Sequence, residues 1–396
     1  MTRRPRRPAA LALATALLAS SALVAGCDAI SGDDPPQDAT TYREPFRAQA
    51  GALLSRPVPD GDETDYVALR ALLDNIAHTP PGATIRIVGY SLSLYPVAEA
   101  LLAADARGVS VQVVLDYKAN RDSEADELLE EGLGDDASAD SFIVQTDGSA
   151  RRGSRGRMHQ KTWMFSRTGQ SRHVVMVGSM NLSYYSTGQY NDTYAFVDRR
   201  DVWRAFGRVF DQQRRDRPVR DPAVTARLDD VRAWFFPGFT LDDDPLQRLL
   251  DDLPARPGTR LRMVAYAWSG ERGLRLADRV AALRRAGADV EVVSGDVLTP
   301  RVSDVLRGAD VPVYLAKFDD GSDTHNKLAL AEWDGDGGQQ RMIVTGSLNL
   351  GDGPLERDEV LVAVDADRGP AERDYRRYVR LVEEITARVE REAGER

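Results

Sequence analysis

One cysteine, Cys27, and four histidines stand in a chain of 396 residues. Lysine is as scarce: Lys118, Lys161, Lys317 and Lys327 are its only copies, although Lys and Arg together reach 52. A lone thiol excludes an internal disulfide framework, so the chain must rely on its core. No apolar run reaches the ~20 residues of a spanning helix, which excludes a multi-spanning membrane protein. Histidine and lysine do much of the chemistry available at neutral pH, so where these few sit is informative. What remains is the composition of a globular protein. With 42% hydrophobic and 29% charged residues, global disorder is excluded, and the length suits one large or two medium domains.

The amino terminus has the layout of an export signal. Arg3, Arg4, Arg6 and Arg7 precede an apolar segment from Ala9 to Val24, which ends at Ala25-Gly26-Cys27. Small residues leading into cysteine resemble a bacterial lipobox. That resemblance implies a lipoprotein signal peptide over 1–26, diacylation of Cys27, a polar tether over 27–41, and an extracytoplasmic protein anchored to the cell membrane. Loss of 1–26 removes four arginines and takes the net charge from −10 to −14. Such acidity argues against general affinity for phosphate backbones.

An internal repeat organises the rest. Ile85-Arg-Ile-Val-Gly-Tyr90 and Leu261-Arg-Met-Val-Ala-Tyr266 each read as a strand, followed by an amphipathic helix ending at Gly108 or Gly287 and a second apolar strand. This is the pattern of a parallel crossover unit. The offset between copies is 176 residues at the first strand, 166 at a later histidine and 168 at an asparagine, a register that chance would not hold. The spacing predicts an α/β fold of two homologous halves, 42–235 and 236–396, each a mixed sheet flanked by helices.

Each half carries one His-x-Lys and one Gly-Ser-x-Asn. The first has His159-Gln-Lys161 and Gly178-Ser179-Met-Asn181; the second has His325-Asn-Lys327 and Gly346-Ser347-Leu-Asn349. Four histidines and four lysines at random would give about 0.04 His-x-Lys pairs, and two are present at matching places. Alternation predicts that His and Lys lie on strands with both side chains on one side, able to reach one ligand.

The duplicated pattern resembles the phospholipase D superfamily, marked by His-x-Lys-x4-Asp and Gly-Ser-x-Asn occurring twice per active site. It extends from about Thr84 onward, and the segment from Ile85 to Asp116 is similar to small bacterial endonuclease-type members. The resemblance implies a pseudo-two-fold arrangement with one active site between the halves, and phosphodiester chemistry through a phosphohistidine, without metal or other cofactor. It carries over His159, Lys161, His325 and Lys327 as catalytic groups, and Ser179, Asn181, Ser347 and Asn349 as binders of the substrate phosphate. Asp192 and Glu359 resemble the family's downstream acids that orient the histidines, with Asp358 a competing choice in the second half. Chemically, a neutral imidazole can attack phosphorus while a protonated one serves the leaving alkoxide, and the lysines and amides stabilise the oxygens.

The sequence departs from the family where the motif aspartates would stand, at Ser166 and Glu332. Arg151, Arg152, Arg155 and Arg157 precede His159, whereas Asp319, Asp320 and Asp323 precede His325. Cations lower an imidazole pKa and anions raise it, which favours a neutral, nucleophilic His159 and a protonated, acidic His325. The arginine loop could also bind a phosphate or an anionic lipid. Trp234-Phe-Phe-Pro-Gly-Phe239 reads as packing between halves or a membrane-dipping segment, and Tyr184, Tyr185 and Tyr190 as cleft lining or core. His78 and His173 have no partner pattern.

The expected function is a phospholipase D-type phosphodiesterase, a monomer that hydrolyses phospholipid head groups or exchanges them. The alternatives are a nuclease of the same superfamily, in which nucleic acid is the partner, and an inactive lipid- or phosphate-binding lipoprotein.

Overall fold

A computed structural model describes residues 45–58 and 66–395. The signal peptide, Cys27 and the tether lie outside the described residues. Seven strands come from the first half: β1 (Gly51–Ser55), β2 (Thr84–Gly89), β3 (Ser110–Asp116), β4 (Phe142–Thr146), β5 (Thr162–Thr168), β6 (Ser171–Gly178) and β7 (Gln189–Phe196). They lie in the order β1-β7-β6-β5-β2-β3-β4. Nine follow: β8 (Val224–Arg227), β9 (Val231–Phe236), β10 (Arg260–Trp268), β11 (Asp289–Leu298), β12 (Val313–Leu315), β13 (Asp323–Thr324), β14 (Lys327–Gly335), β15 (Gly338–Gly346) and β16 (Glu359–Asp365). The second sheet runs β12-β11-β10-β14-β15-β16-β9-β8, while β13 crosses over to pair with β7.

The two orders are the same once β9 is matched to β1. Each crossover forms as the repeat predicts. β2 and β3 are parallel and joined by the helix Tyr95–Ala106; β10 and β11 are parallel and joined by Gly270–Arg285. Both turns back into the sheet need a left-handed residue, supplied by Gly108 (φ 87°) and Gly287 (φ 94°).

The division between halves differs from the expected one. β9 pairs antiparallel with β16 as β1 pairs with β7, so the second sheet begins before residue 235 and the break falls between Gln213 and Val224. The repeat was visible only from Ile85 and Leu261, because Gly-Ala-Leu-Leu-Ser in β1 and Val-Arg-Ala-Trp-Phe-Phe in β9 share little beyond being apolar. That run is buried within the sheet: Trp234 is 8% exposed and Phe235 and Phe236 are 0%, which removes Trp234 to Phe236 from any membrane-dipping role.

Three large apolar clusters hold the layers. The first sheet packs outward against Val67–Ala77 and Tyr95–Ala106, and the second against Pro245–Asp251, Gly270–Arg285 and Pro300–Arg307. Between the sheets, Phe206, Val209, Tyr378, Leu381 and Ile385 join Val175 and Val177 of β6 to Leu328, Leu330 and Ile343 of β14 and β15. The helices Arg200–Gln213 and Gly369–Gly394 thus sit in one shared core. Among the described residues no helix is long and apolar enough to cross a membrane.

Candidate active site

Both His-x-Lys motifs lie where a loop enters a central strand. His159 precedes β5, and His325 precedes Lys327, the first residue of β14. The histidines therefore stand just outside the strands expected to carry them. Each is seated by the other half. The His159 N–H donates to the Asp358 carbonyl at 2.9 Å, and the His325 N–H to the Tyr190 carbonyl at 2.8 Å. The lysines curl back within their motifs: Lys161 Nζ donates to the His159 carbonyl and Lys327 Nζ to the His325 carbonyl, each at 2.6 Å. All four side chains are buried.

The Gly-Ser-x-Asn segments end β6 and β15. A Cβ on Gly178 would stand 2.1 Å from the Asp192 carbonyl, and one on Gly346 (φ 147°) 2.1 Å from that of Val360, so the close approach admits only glycine. The adjacent serines are not free for a substrate phosphate, contrary to expectation. Ser179 Oγ donates to Asn191 Oδ1 at 2.9 Å and Ser347 Oγ donates to Glu359 Oε2, and both serines are 0% exposed. Their role is to hold the side chains that face the histidines. Asn181 and Asn349 fit the original reading better. Each is half-buried with a buried Oδ1 that lacks a partner, and the group that could serve a phosphate oxygen is its Nδ2, which an amide turned about its axis would present at the same place.

Glu359 lies against a histidine across the halves: His159 Nδ1 donates to Glu359 Oε1 at 2.8 Å. Asp192 is not one. His325 Nδ1 instead donates to Asn191 Oδ1 at 3.1 Å. The Asn191 amide donates to Tyr66 Oη (2.9 Å) and to the Ser186 carbonyl (3.1 Å), which turns its oxygen toward the ring. Asp192, one residue on, faces the other way, accepting from Asn326 Nδ2 at 3.0 Å, Tyr378 Oη at 3.0 Å and the Thr345 hydroxyl. The missed signal was spacing: Asn191 and Glu359 each lie twelve residues after their motif serine. Both imidazoles thus carry their proton on Nδ1, leaving Nε2 for chemistry.

Tyr90 and Tyr266, at the ends of the repeated first strands, also escaped sequence reasoning. Tyr90 lies 4.9 Å from the His159 ring and 5.4 Å from Lys161 Nζ; Tyr266 lies 4.6 Å from His325 and 5.0 Å from Lys327 Nζ. Their matched places in the repeat were the available clue. Tyr185 is 67% exposed, whereas Tyr190 is core.

The arginine loop proves largely structural. Arg151, 0% exposed, donates to Asp358 Oδ1 at 2.8 Å and to the Pro222 carbonyl at 2.8 Å, a buried pair whose disruption would cost about 3–5 kcal/mol. Asp358 is spent on that pair and on Ser149 Oγ (2.6 Å), so it does not compete with Glu359. Arg157 meets Asp116 at 2.6 Å.

Burial sets the protonation of the site. It pushes both histidines well below the usual imidazole range, helped by Lys161 and Lys327, so that each half's lysine acts on the other half's histidine. The expected rise at His325 is therefore absent: Asp320 is taken up by Arg388 (2.7 Å) and Asp323 by Gln189 (2.7 Å), and burial and Lys327 prevail. Burial also lowers Lys161 to about 7 and Lys327 well below its ordinary value, and raises Glu359 to about 7. A bound phosphodiester anion would favour the charged form of every cation in this set. Among the described residues no group of three or more His, Cys, Asp or Glu is placed to hold a metal ion.

Residues 72–214 match the family described as cardiolipin synthase, PLD-like domain. No curated protein matches the chain by sequence. Among solved structures, phosphatidylserine synthase from Haemophilus influenzae Rd KW20 is similar with a TM-score of 0.57 at 12% identity, covering 86% of this chain and 87% of that one. Polyphosphate kinase from Porphyromonas gingivalis is similar with a TM-score of 0.53 at 16% identity over 83% of this chain. This chain spans about half of that kinase, 49%. At such identities the likeness is one of fold. Residues 72–214 thus match a phospholipase D-like domain, and the two-sheet fold that contains them is similar to that of the synthase.

Proposed function

We propose that this protein is a phosphodiesterase that removes or exchanges the head group of phospholipids through a phosphohistidine on His159. The observation that carries this reading is the unequal pairing of the two histidines. His159 is held by a carboxylate and His325 by a neutral amide. A carboxylate on Nδ1–H stabilises the positive charge that appears when Nε2 bonds to phosphorus, which suits a nucleophile. An amide gives no such stabilisation, so a protonated His325 is the stronger acid and suits the leaving group.

In the first step Nε2 of His159 attacks phosphorus, the bond to the head-group oxygen breaks, and His325 transfers its proton to that oxygen. In the second, water or an alcohol gives its proton back to His325 as its oxygen displaces His159. Lys161, Lys327 and the amides of Asn181 and Asn349 stabilise the non-bridging oxygens in both. The two departures from the family motif do not weaken this scheme. Ser166 accepts from the Thr84 N–H at 2.8 Å and Glu332 meets Arg341 at 2.7 Å, so both stabilise strands and not the reacting groups. A phospholipid substrate is further supported by the acidic charge and by the lipid anchor proposed at Cys27, which would keep the protein on the outer face of a membrane. The nuclease reading loses support from the arginine loop, because Arg151 and Arg157 are committed to Asp358 and Asp116.

The test is full-length protein in detergent, with EDTA, assayed on phosphatidylcholine, phosphatidylglycerol and plasmid DNA beside His159→Asn. Head-group release that disappears in the variant supports the proposal. DNA nicking without lipid turnover, or activity that requires metal, overturns it.

A further inference from the structure

The charges around the two histidines are not equivalent. Two residues before His159 stands Arg157, and before His325, Asp323; two residues before Glu359 stands Arg357, and before Asn191, Gln189. Asp323 and Gln189 satisfy each other at 2.7 Å. Their counterparts are both cations and cannot.

Arg157 is spent on Asp116. Arg357 is half-buried, and among the described residues its guanidinium meets neither carboxylate nor other acceptor. The two arginines line a cavity of about 580 Å³ with Leu241, Leu355 and three acids. Those acids are engaged elsewhere. Asp352 accepts from the Arg272 N–H at 2.8 Å, Glu356 lies 3.7 Å from Arg152, and Glu271 3.6 Å from Arg275. Arg357 adjoins Asp358, whose backbone pairs with Met158 and accepts from the His159 N–H at 2.9 Å, so the cavity flanks the loop that carries His159. An unpaired guanidinium is a rigid fork of donors matched to carboxylate or phosphate.

We propose that Arg357 and the cavity beside it form a subsite for a second anionic group of the substrate, a carboxylate or phosphate carried a few bonds from the scissile phosphate. This rests on the phosphodiesterase reading and narrows it to phospholipids whose head group bears an anion of its own. Arg357 is then a specificity-determining residue. It acts through discrimination between head groups.

Short-chain phosphatidylserine and phosphatidylethanolamine isolate the effect, since both carry an ammonium and only the first a carboxylate. The wild-type protein is expected to favour phosphatidylserine in kcat/KM by about tenfold or more, the worth of one charge-assisted pair. Arg357→Ala brings the ratio near one, and Arg357→Lys restores part of it. A wild-type ratio at or below one, or a ratio unchanged in Arg357→Ala, overturns the subsite while leaving the phosphodiesterase reading intact. If neither lipid is turned over, that reading fails, and calorimetric titration with phosphoserine and phosphoethanolamine still decides the subsite. Tighter phosphoserine binding that is lost in Arg357→Ala supports it, and equal affinities refute it.

Discussion

The first and second halves build the same sheet in the same order, yet hand their histidines different partners. His159 faces a carboxylate and His325 an amide, and the positions just before them hold Arg157 and Asp323. The scaffold is duplicated while the labour is divided. In the proposed mechanism one residue per half, Glu359 against Asn191, separates the group that bonds to phosphorus from the one that delivers a proton.

The sharpest way to test this division is to remove each histidine in turn. His159→Asn is expected to abolish turnover of every diester. His325→Asn should slow phospholipid cleavage by about 10²–10⁴-fold, yet act much less on a nitrophenyl diester whose leaving group needs no proton. Equal losses on both substrates in His325→Asn would erase the distinction. Next in size, Glu359→Gln makes the halves alike and should cost roughly 100-fold or more in kcat with KM little changed, read by steady-state kinetics, since orienting acids of catalytic histidines are worth at least this much.

The converse swap is gentler. Asn191→Asp places a carboxylate on His325 and raises its pKa, so the alkaline limb of the kcat profile should move to higher pH while the maximal rate changes by less than about tenfold. In the wild type, kcat/KM should rise from acid pH as the low-pKa His159 loses its proton, and fall toward alkaline pH as His325, also held low, and then Lys161, at about 7, lose theirs. A flat pH profile between 6 and 9 would contradict that assignment. The smallest effect is reserved for Ser166→Asp, which restores a motif residue far from the reacting groups. Activity should change by less than about twofold in the same assay.

Much of this was legible from the sequence because the duplication turns each motif into its own control. The crossover units and the two His-x-Lys pairs follow from a repeat with nearly constant offsets, and the cleft shared by both halves was implied by the family resemblance. Glu359 was carried over because it resembles the family's acids that orient histidines. Asn191 was missed for the same reason: a search for a carboxylate passed over the amide and settled on Asp192, and along a strand a one-residue error faces the opposite side. The start of the second half was hidden because β1 and β9 conserve burial and pairing but no pattern of letters. The arginine loop misled, since a sequence does not say whether a guanidinium meets solvent or, like Arg151, a buried carboxylate. The acids before His325 failed likewise, because their partners come from distant parts of the chain.

The reciprocal seating of the two histidines also orders events during synthesis. When the first sheet has left the ribosome, His159 still lacks both the carbonyl of Asp358 and the carboxylate of Glu359. β15, β16 and the connection between them bring Ser347, Asp358 and Glu359. Until they dock, the nascent protein holds an imidazole that has Tyr90 beside it but lacks the carboxylate on its Nδ1. The site is therefore completed only once β16 has been made, and a chain stopped short of it would keep His159 and Lys161 but lack the groups that position them.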